Sequence, residues 1–138
     1  MRYLLDTNVY SELRKRTEHI DPAVVAWTRT TRHDEYALSV ISLFETARGI
    51  ARLRRRDPIQ AQHIQTWLEK ILDEFRGRIL KVDIPIALAA ARLHVPDPRP
   101  ELDSLIAATA LVHGLTVVTR NTQDFEAMGV PLINPWEY

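Results

Sequence analysis

The sequence contains no cysteine, and this absence removes several kinds of chemistry at once. Disulfide bonds, thiolate nucleophiles and zinc sites built on cysteine are all excluded. The five histidines show no helical His-x-x-x-His spacing of the kind that binds zinc. The 18 basic and 18 acidic residues cancel, so any binding of RNA or DNA would have to come from local patches.

Long apolar segments and glycine-rich loops are missing too. No segment approaches the roughly 20 apolar residues that span a bilayer, and the run Met1–Leu5 is too short for a signal peptide. We therefore expect a cytoplasmic protein. No glycine-rich loop follows the first predicted strand, which argues against dinucleotide binding. The length of 138 residues and the apolar content of 46% fit a single globular domain over residues 1–138.

Apolar patterning predicts strands and helices that alternate along the chain. The predicted strands are Arg2–Leu5, Tyr36–Ser39, Ile79–Val82, Thr116–Thr119 and Pro131–Ile133. The predicted helices are about Thr7–Arg14, Pro22–Arg32, Val40–Arg55, Pro58–Arg76, Pro85–His94, Leu102–His113 and Asp124–Met128. Alternation with short connections predicts an α/β fold in which a mostly parallel central sheet has helices on both faces.

Four acidic residues fall where such a fold could bring them together: Asp6, Glu45, Asp103 and Asp124. Asp6 follows the first strand and Asp124 lies in the loop after the fourth. Glu45 lies in the second turn of the helix after the second strand, and Asp103 opens a helix. Because ligands bind beyond the carboxyl ends of parallel strands, the sequence predicts one shared acidic cleft.

Gathered acids repel each other unless a hard divalent cation neutralises them. Oxygen ligands without cysteine or a histidine pair favour Mg²⁺, with Mn²⁺ as a plausible substitute, over zinc. Such a site activates a water molecule and neutralises charge on a phosphate, so the pattern indicates hydrolysis of phosphate esters.

A simpler interpretation exists for each acid. Asp6, Asp103 and Asp124 could each cap a helix, and Glu45 could pair with Arg48 on a solvated helix face. Capping explains single residues, but it does not explain why all four fall at the same predicted edge.

Polar neighbours of the acids could support the same site. Asn8, Thr119 and Asn121 could orient ligands or water, although Asn and Thr are also common in turns beside strand ends. Glu12 is a possible further acid, but a surface helix residue is the simpler interpretation.

Four segments resemble the PIN-domain family, and in particular VapC-type toxins, the ribonucleases of toxin–antitoxin pairs. They are Leu4-Leu5-Asp6-Thr7-Asn8-Val9 with Ser11-Glu12-Leu13, Ser39-Val40-Ile41-Ser42-Leu43-Phe44-Glu45, Asp103-Ser104-Leu105-Ile106-Ala107-Ala108-Thr109-Ala110 and Thr119-Arg120-Asn121-Thr122-Gln123-Asp124-Phe125. The resemblance implies that Asp6, Glu45, Asp103 and Asp124 form the acidic quartet, with Asp6 and Asp103 as the principal metal ligands. It also implies a Mg²⁺-dependent endoribonuclease, a homodimer and inhibition by a cognate antitoxin.

Basic residues follow Glu45 at helical spacing, which makes Arg48 and Arg52 candidate contacts for RNA or antitoxin. The rest of the run, Arg54–Arg56, fits an ordinary solvated helix end.

Two other functions compete with a nuclease. A haloacid-dehalogenase-like phosphatase needs a second acid two residues after its nucleophile, where this chain has Asn8. A non-catalytic RNA- or partner-binding module on the same fold would be indicated by loss of a carboxylate, and all four are present.

Overall fold

Five parallel strands form the centre of the computed structural model, which describes residues 1–138. The strands are β1 (Tyr3–Leu5), β2 (Tyr36–Ser39), β3 (Ile79–Leu80), β4 (Thr116–Val118) and β5 (Leu132–Ile133). They lie in the order β3-β2-β1-β4-β5, and every neighbouring pair is parallel. The predicted α/β architecture with helices on both faces of the sheet is confirmed.

Seven helices connect or follow the strands. They are α1 (Thr7–Leu13), α2 (Pro22–Thr28), α3 (Val40–Arg54), α4 (Pro58–Glu74), α5 (Ile84–Arg92), α6 (Glu101–His113) and α7 (Thr122–Glu126). Short 3-10 turns cover Thr17–His19, His33–Glu35 and Pro135–Glu137. None of the helices combines the length and the apolar character needed to cross a bilayer.

The central strands bury both of their faces, because successive side chains of a strand point in opposite directions. Leu4 and Val117 pack in one apolar core with α6 and α7. Leu5 and Val118 pack in the other core, against α1, α2 and α4. Apolar residues at consecutive positions of β1 and β4 are therefore what a sheet covered on both sides requires.

Local signals set several boundaries correctly. Strand β2 has its predicted bounds, and Ser39 caps α3 by accepting a hydrogen bond from the Ile41 N–H at 3.0 Å. Helix α6 ends before Gly114, whose φ of 68° places it in the left-handed region that favours glycine.

Helix α2 ends at Thr28, four residues earlier than predicted. The hydroxyls of Thr28, Thr30 and Thr31 each donate to the carbonyl three residues before them. Threonine side chains that bond nearby carbonyls compete with helical hydrogen bonding, which explains the early end. Strands β3 and β5 are also shorter than predicted, with two residues each.

The strand order creates a crevice at the carboxyl end of β1. The chain passes from β1 to β2 and β3 on one side, then returns to place β4 and β5 on the other side. The connections that leave β1 and β4 therefore diverge, which is where open parallel sheets bind ligands. The Asp6 N–H donates to the Val118 carbonyl at 2.9 Å and fixes the start of this crevice.

Candidate active site

Asp6 lies at the centre of the crevice, where β1 becomes α1. Its carboxylate accepts hydrogen bonds from the Thr7 N–H and the Thr119 hydroxyl, both at 2.8 Å, and the residue is only 5% exposed. Burial raises the pKa of Asp6, the bonds from Thr119 and Thr7 oppose that rise, and the charge of Asp124 adds to it. Asp6 thus caps α1 and also presents a buried acid to the crevice.

Two of the predicted supporting residues contact Asp6 directly. The buried Thr119 hydroxyl donates to Asp6 and accepts from the Asn121 N–H at 3.0 Å. The Asn8 amide lies 3.4 Å from Asp6, and its oxygen accepts from the Arg120 N–H at 3.2 Å. Asn8 therefore ties α1 to the segment after β4.

Asn121 lines the same cavity as Asp124 and contacts the site through its backbone. Its backbone N–H supports Thr119, but its side chain is exposed and forms no hydrogen bond to any of the four acids. The prediction that this side chain orients ligands therefore finds no contact to support it.

Glu45 reaches the crevice from the second turn of α3. Its Oε1 accepts a hydrogen bond from the Thr7 hydroxyl at 3.0 Å. Burial raises the pKa of Glu45, the Thr7 bond lowers it, Asp6 raises it and Arg48 lowers it. Thr7 thus bonds Asp6 through its N–H and Glu45 through its hydroxyl. Sequence analysis missed this role because Thr7 and Glu45 lie 38 residues apart.

Asp103 projects from the first turn of α6. The helix begins at Glu101 after Pro100, so Asp103 does not cap it, and the capping interpretation is wrong here. Burial and the negative charges of Asp6, Asp124 and Glu45 raise the pKa of Asp103 to about 6. This single carboxyl group is therefore influenced by all three other candidate acids.

Asp124 lies inside α7 and not in the loop where it was predicted. The helix begins at Thr122, so Asp124 is its third residue, and Asn121 occupies the capping position. Asp124 is exposed, yet its charge raises the pKa of Asp6 and of Asp103. The charges of the four acids thus influence one another, and Asp124 is the exposed member of the group.

Basic residues contribute little countercharge to this group. None of the five ion pairs of the protein includes any of the four acids. Arg48 comes near enough to lower the pKa of Glu45, and its guanidinium lies 5.0 Å from the centre of the Phe44 ring. Arg52 is exposed and bonds none of the acids. The crevice is therefore an oxygen-lined site with excess negative charge.

The donor set fits a hard divalent cation. No three His, Asp or Glu side chains are arranged to hold an ion by themselves. Mg²⁺ does not need such a cage, because it keeps several waters and binds through one or two carboxylates together with phosphate oxygens. Carboxylate and hydroxyl oxygens with raised carboxyl pKa values match that requirement.

Glu12, the possible further acid, is not part of the crevice. It is buried, forms an ion pair with Lys15 at 2.8 Å and accepts a hydrogen bond from the Asp21 N–H at 3.0 Å. Burial acts to raise the pKa of Glu12, but the bonds from Lys15 and Asp21 and the nearby charges hold it below its ordinary value. Its interpretation as a surface residue is wrong, and its role is to join α1 to the start of α2.

Comparisons with known proteins agree with this architecture. The model of the PIN domain family matches residues 3–131. The VapC ribonuclease Y4jK of Sinorhizobium fredii is 37% identical and covers 97% of each chain. Toxin FitB of Neisseria gonorrhoeae is 39% identical and covers 96% of this chain and 97% of its own. The crystal structure of FitAcB from the same organism has a TM-score of 0.86, with 36% identity and 99% coverage of both chains.

Proposed function

This chain belongs to the PIN domain family, and we propose that it is a Mg²⁺-dependent endoribonuclease toxin inhibited by a cognate antitoxin. The names of its relatives, a VapC ribonuclease and a toxin, support this reaction class and this biological role. The observation that carries the proposal is the convergence of Asp6, Glu45, Asp103 and Asp124 on one crevice without paired basic residues.

Asp6 and Asp103 are the proposed metal ligands, with Glu45 and Asp124 completing the site. A bound Mg²⁺ or Mn²⁺ would neutralise charge on the phosphate and make a water molecule more acidic. The hydroxyls of Thr119 and Thr7 hold the carboxylates of Asp6 and Glu45 in fixed orientations. Because its pKa is raised, Glu45 is a better base than an ordinary glutamate, which supports a role in accepting a proton from water.

The phosphatase alternative receives no support from the geometry. The position that would carry the second acid is Asn8, which bonds Asp6 and the Arg120 N–H. An amide held in this way cannot donate a carboxyl proton to a leaving group.

Cleavage of a defined single-stranded RNA by the metal-stripped protein tests the activity. We expect no cleavage in EDTA and full cleavage after excess Mg²⁺ or Mn²⁺ is added. Asp103→Asn should abolish cleavage, whereas Asp97→Asn, an exposed aspartate of the loop before α6, should leave it unchanged. Equal cleavage with EDTA, or by the Asp103→Asn protein, would rule out the proposal.

The toxin role needs a separate test in cells. Expression of the chain alone should arrest growth, and co-expression of the neighbouring open reading frame should relieve the arrest. Arrest that persists in the Asp103→Asn variant would show that RNA cleavage is not its cause. The homodimer and the cytoplasmic location stay predictions, and the mass of the purified protein in solution checks the first.

A further inference from the structure

A cavity of about 260 Å³ lies between α1, α3 and α4, beside the acidic crevice. Thr7 and Ser11 line it from α1 and Gly49 lines it from α3, and Arg14 and Arg56 line it from just beyond the ends of these two helices. We call it the α1–α3 groove. It runs beside α1 from Thr7 to Arg14, about 10 Å at the rise of an α-helix.

The α1–α3 groove is lined by cationic residues without acidic ones. Arg14 and Arg56 belong to it, no aspartate or glutamate lines it, and neither arginine takes part in an ion pair. The Arg14 guanidinium lies 5.7 Å from the centre of the Trp67 ring, which restricts its position. An anion would therefore meet two unpaired guanidinium groups and the Ser11 hydroxyl.

Each of the other two cavities is lined by one arginine instead of two and by at least one acidic residue. One, at the N-terminal end of α7, contains Asp124 and Glu137 beside its single arginine, Arg120. The other is mainly apolar and shares Arg14 with the α1–α3 groove, and its Lys70 and Glu74 pair with each other. The α1–α3 groove is thus the cavity best suited to an anion.

The groove is continuous with the candidate active site through one residue. Thr7 lines the groove, and its hydroxyl donates to Glu45 in the crevice. A chain of phosphates with one phosphodiester at the acids would reach Ser11, Arg14 and Arg56 next. Arg48 and Arg52, the candidates from the sequence, lie on α3 but do not line the groove.

We propose that the α1–α3 groove binds the backbone phosphates of the RNA strand next to the cleaved bond. This inference rests on the proposed ribonuclease function and adds the path of the substrate. Arg14 and Arg56 contact phosphates, and the Ser11 hydroxyl donates a hydrogen bond. RNA is favoured over an acidic protein segment because Thr7, which lines the groove, also bonds Glu45 of the candidate active site.

Binding of a short single-stranded RNA tests the proposal without any need for cleavage. The assay uses fluorescence anisotropy in EDTA, with the full chain carrying Asp6→Asn, over a range of salt concentrations. Adding Arg14→Gln and Arg56→Gln should weaken binding about tenfold or more at low salt, for every RNA sequence. The salt dependence (log K against log[salt]) should flatten by about 1.4, since each lost phosphate contact on a single strand contributes about 0.7.

The matched control removes the same charge outside the groove. Arg54→Gln with Arg55→Gln changes two exposed arginines at the same end of α3, and neither lines the cavity. We expect this control to change RNA affinity less than threefold. If both double variants lose affinity equally, the effect is general attraction and the groove is not the binding path.

Gly49 allows the groove to be filled without disturbing the protein around it. A Cβ atom added there would meet no atom within 4 Å, and Gly49 lies inside helix α3. Gly49→Gln should therefore fold normally and obstruct the groove, and Gly49→Glu should weaken RNA binding further by charge repulsion. The difference between these two isosteric variants should disappear at high salt.

Two results would overturn the inference. One is unchanged RNA affinity in the Arg14→Gln/Arg56→Gln protein, and a loss of binding to poly-L-glutamate by that protein would then assign the groove to an acidic protein segment. The other is an equal loss of RNA affinity in the two double variants. Either result leaves the ribonuclease proposal standing if the parent chain cleaves RNA, so failure of the two proposals is distinguishable.

Discussion

The two ends of helix α1 each bury a carboxylate, and the pKa values of these two groups are shifted in opposite directions. Asp6 at the start is 5% exposed and Glu12 near the end is 9% exposed. Burial raises the pKa of Asp6, whereas bonds from Lys15 and Asp21 hold the pKa of Glu12 below its ordinary value against the effect of burial. Burial alone therefore does not distinguish a structural acid from a functional one.

The difference lies in the countercharge that the protein supplies. Glu12 has the Lys15 ammonium at 2.8 Å. Asp6 has hydroxyl, amide and backbone donors but no paired cation, and the charge of Asp124 raises its pKa further. The protein itself supplies a cation to Glu12, whereas it supplies none to Asp6. This contrast supports a metal site at Asp6 independently of the family.

The largest expected effect is on the rate of RNA cleavage, which should depend on Asp6 and not on Glu12. Asp6→Asn should lower the rate of RNA cleavage on the order of 1,000-fold or more, because metal stabilisation of the transition state amounts to several kcal/mol. Glu12→Gln should keep the rate within about threefold, because Glu12 does not reach the crevice. A comparable loss in both variants, measured on proteins with normal melting temperatures, would contradict the contrast.

Metal affinity should depend on pH through Asp103. Burial and three neighbouring acids raise the pKa of Asp103 to about 6, so Mg²⁺ must displace its proton below that pH. We expect the affinity for Mg²⁺ to fall about tenfold for each pH unit below 6 and to level off above it. Calorimetry between pH 5 and pH 7.5 measures this slope.

Asp103→Asn is the control for the slope. It should bind Mg²⁺ more weakly at pH 7, and its affinity should vary less between pH 5 and pH 7.5. An unchanged slope in this variant would assign the proton to another group.

The stability of the metal-free protein should depend on pH in opposite directions through Asp103, which neighbours Asp6, and through Glu12. The pKa of Asp103 is raised from its ordinary value of 3.8 to about 6, so its protonation favours the folded state. This stabilisation is fully present at pH values below 3.8 and is lost as the pH rises through about 6. The lowered pKa of Glu12 stabilises the fold above the ordinary value near 4.5, and that contribution is lost as pH falls through the lowered pKa. In EDTA, the melting temperature should therefore decline between pH 4.5 and pH 7 more in the parent protein than in Asp103→Asn.

Added Mg²⁺ should reverse that decline at pH 7, since a ligand that binds only the folded state stabilises it. Equal melting profiles of parent and Asp103→Asn, with and without Mg²⁺, would contradict the raised pKa of Asp103 and its role in binding Mg²⁺.

The smallest expected effect is on folding free energy. Glu12→Gln should lower the free energy of unfolding by about 1 kcal/mol, since it removes the ion pair with Lys15 and weakens the bond to the Asp21 N–H. Asp6→Asn should leave the free energy unchanged or raise it, because it removes a buried charge from a repulsive group. Urea unfolding at pH 7 in EDTA measures both, with Glu126→Gln on the exposed face of α7 as the neutral control.

Short-range features were the predictable part of this protein. Ser39 lies between a strand and a helix in sequence, so its capping of α3 follows from neighbouring residues alone. Asp6 was recognisable as both a cap and a site residue for the same reason. The predicted places of Asp103 and Asp124 were less accurate, since each is the third residue of its helix and caps nothing.

Features that are formed by several helices or strands together could not be predicted from the sequence. Arg48 and Arg52 share a helical spacing with Glu45, but the α1–α3 groove is formed by three helices and contains Arg14 and Arg56 instead. Spacing within one helix does not say which neighbouring helix will cover which face.

The sequence alone determined which side chains are available as metal ligands and the apolar pattern of the strands. The absence of cysteine and of a histidine pair favoured oxygen ligands for any metal site, and consecutive apolar residues in β1 and β4 required a sheet covered on both faces. Only the tertiary structure placed β4 beside β1, where the Thr119 hydroxyl meets Asp6 across 113 residues, and brought Thr7 to Glu45. The physical reason is that strand order arises from packing of the whole chain, which no local pattern encodes.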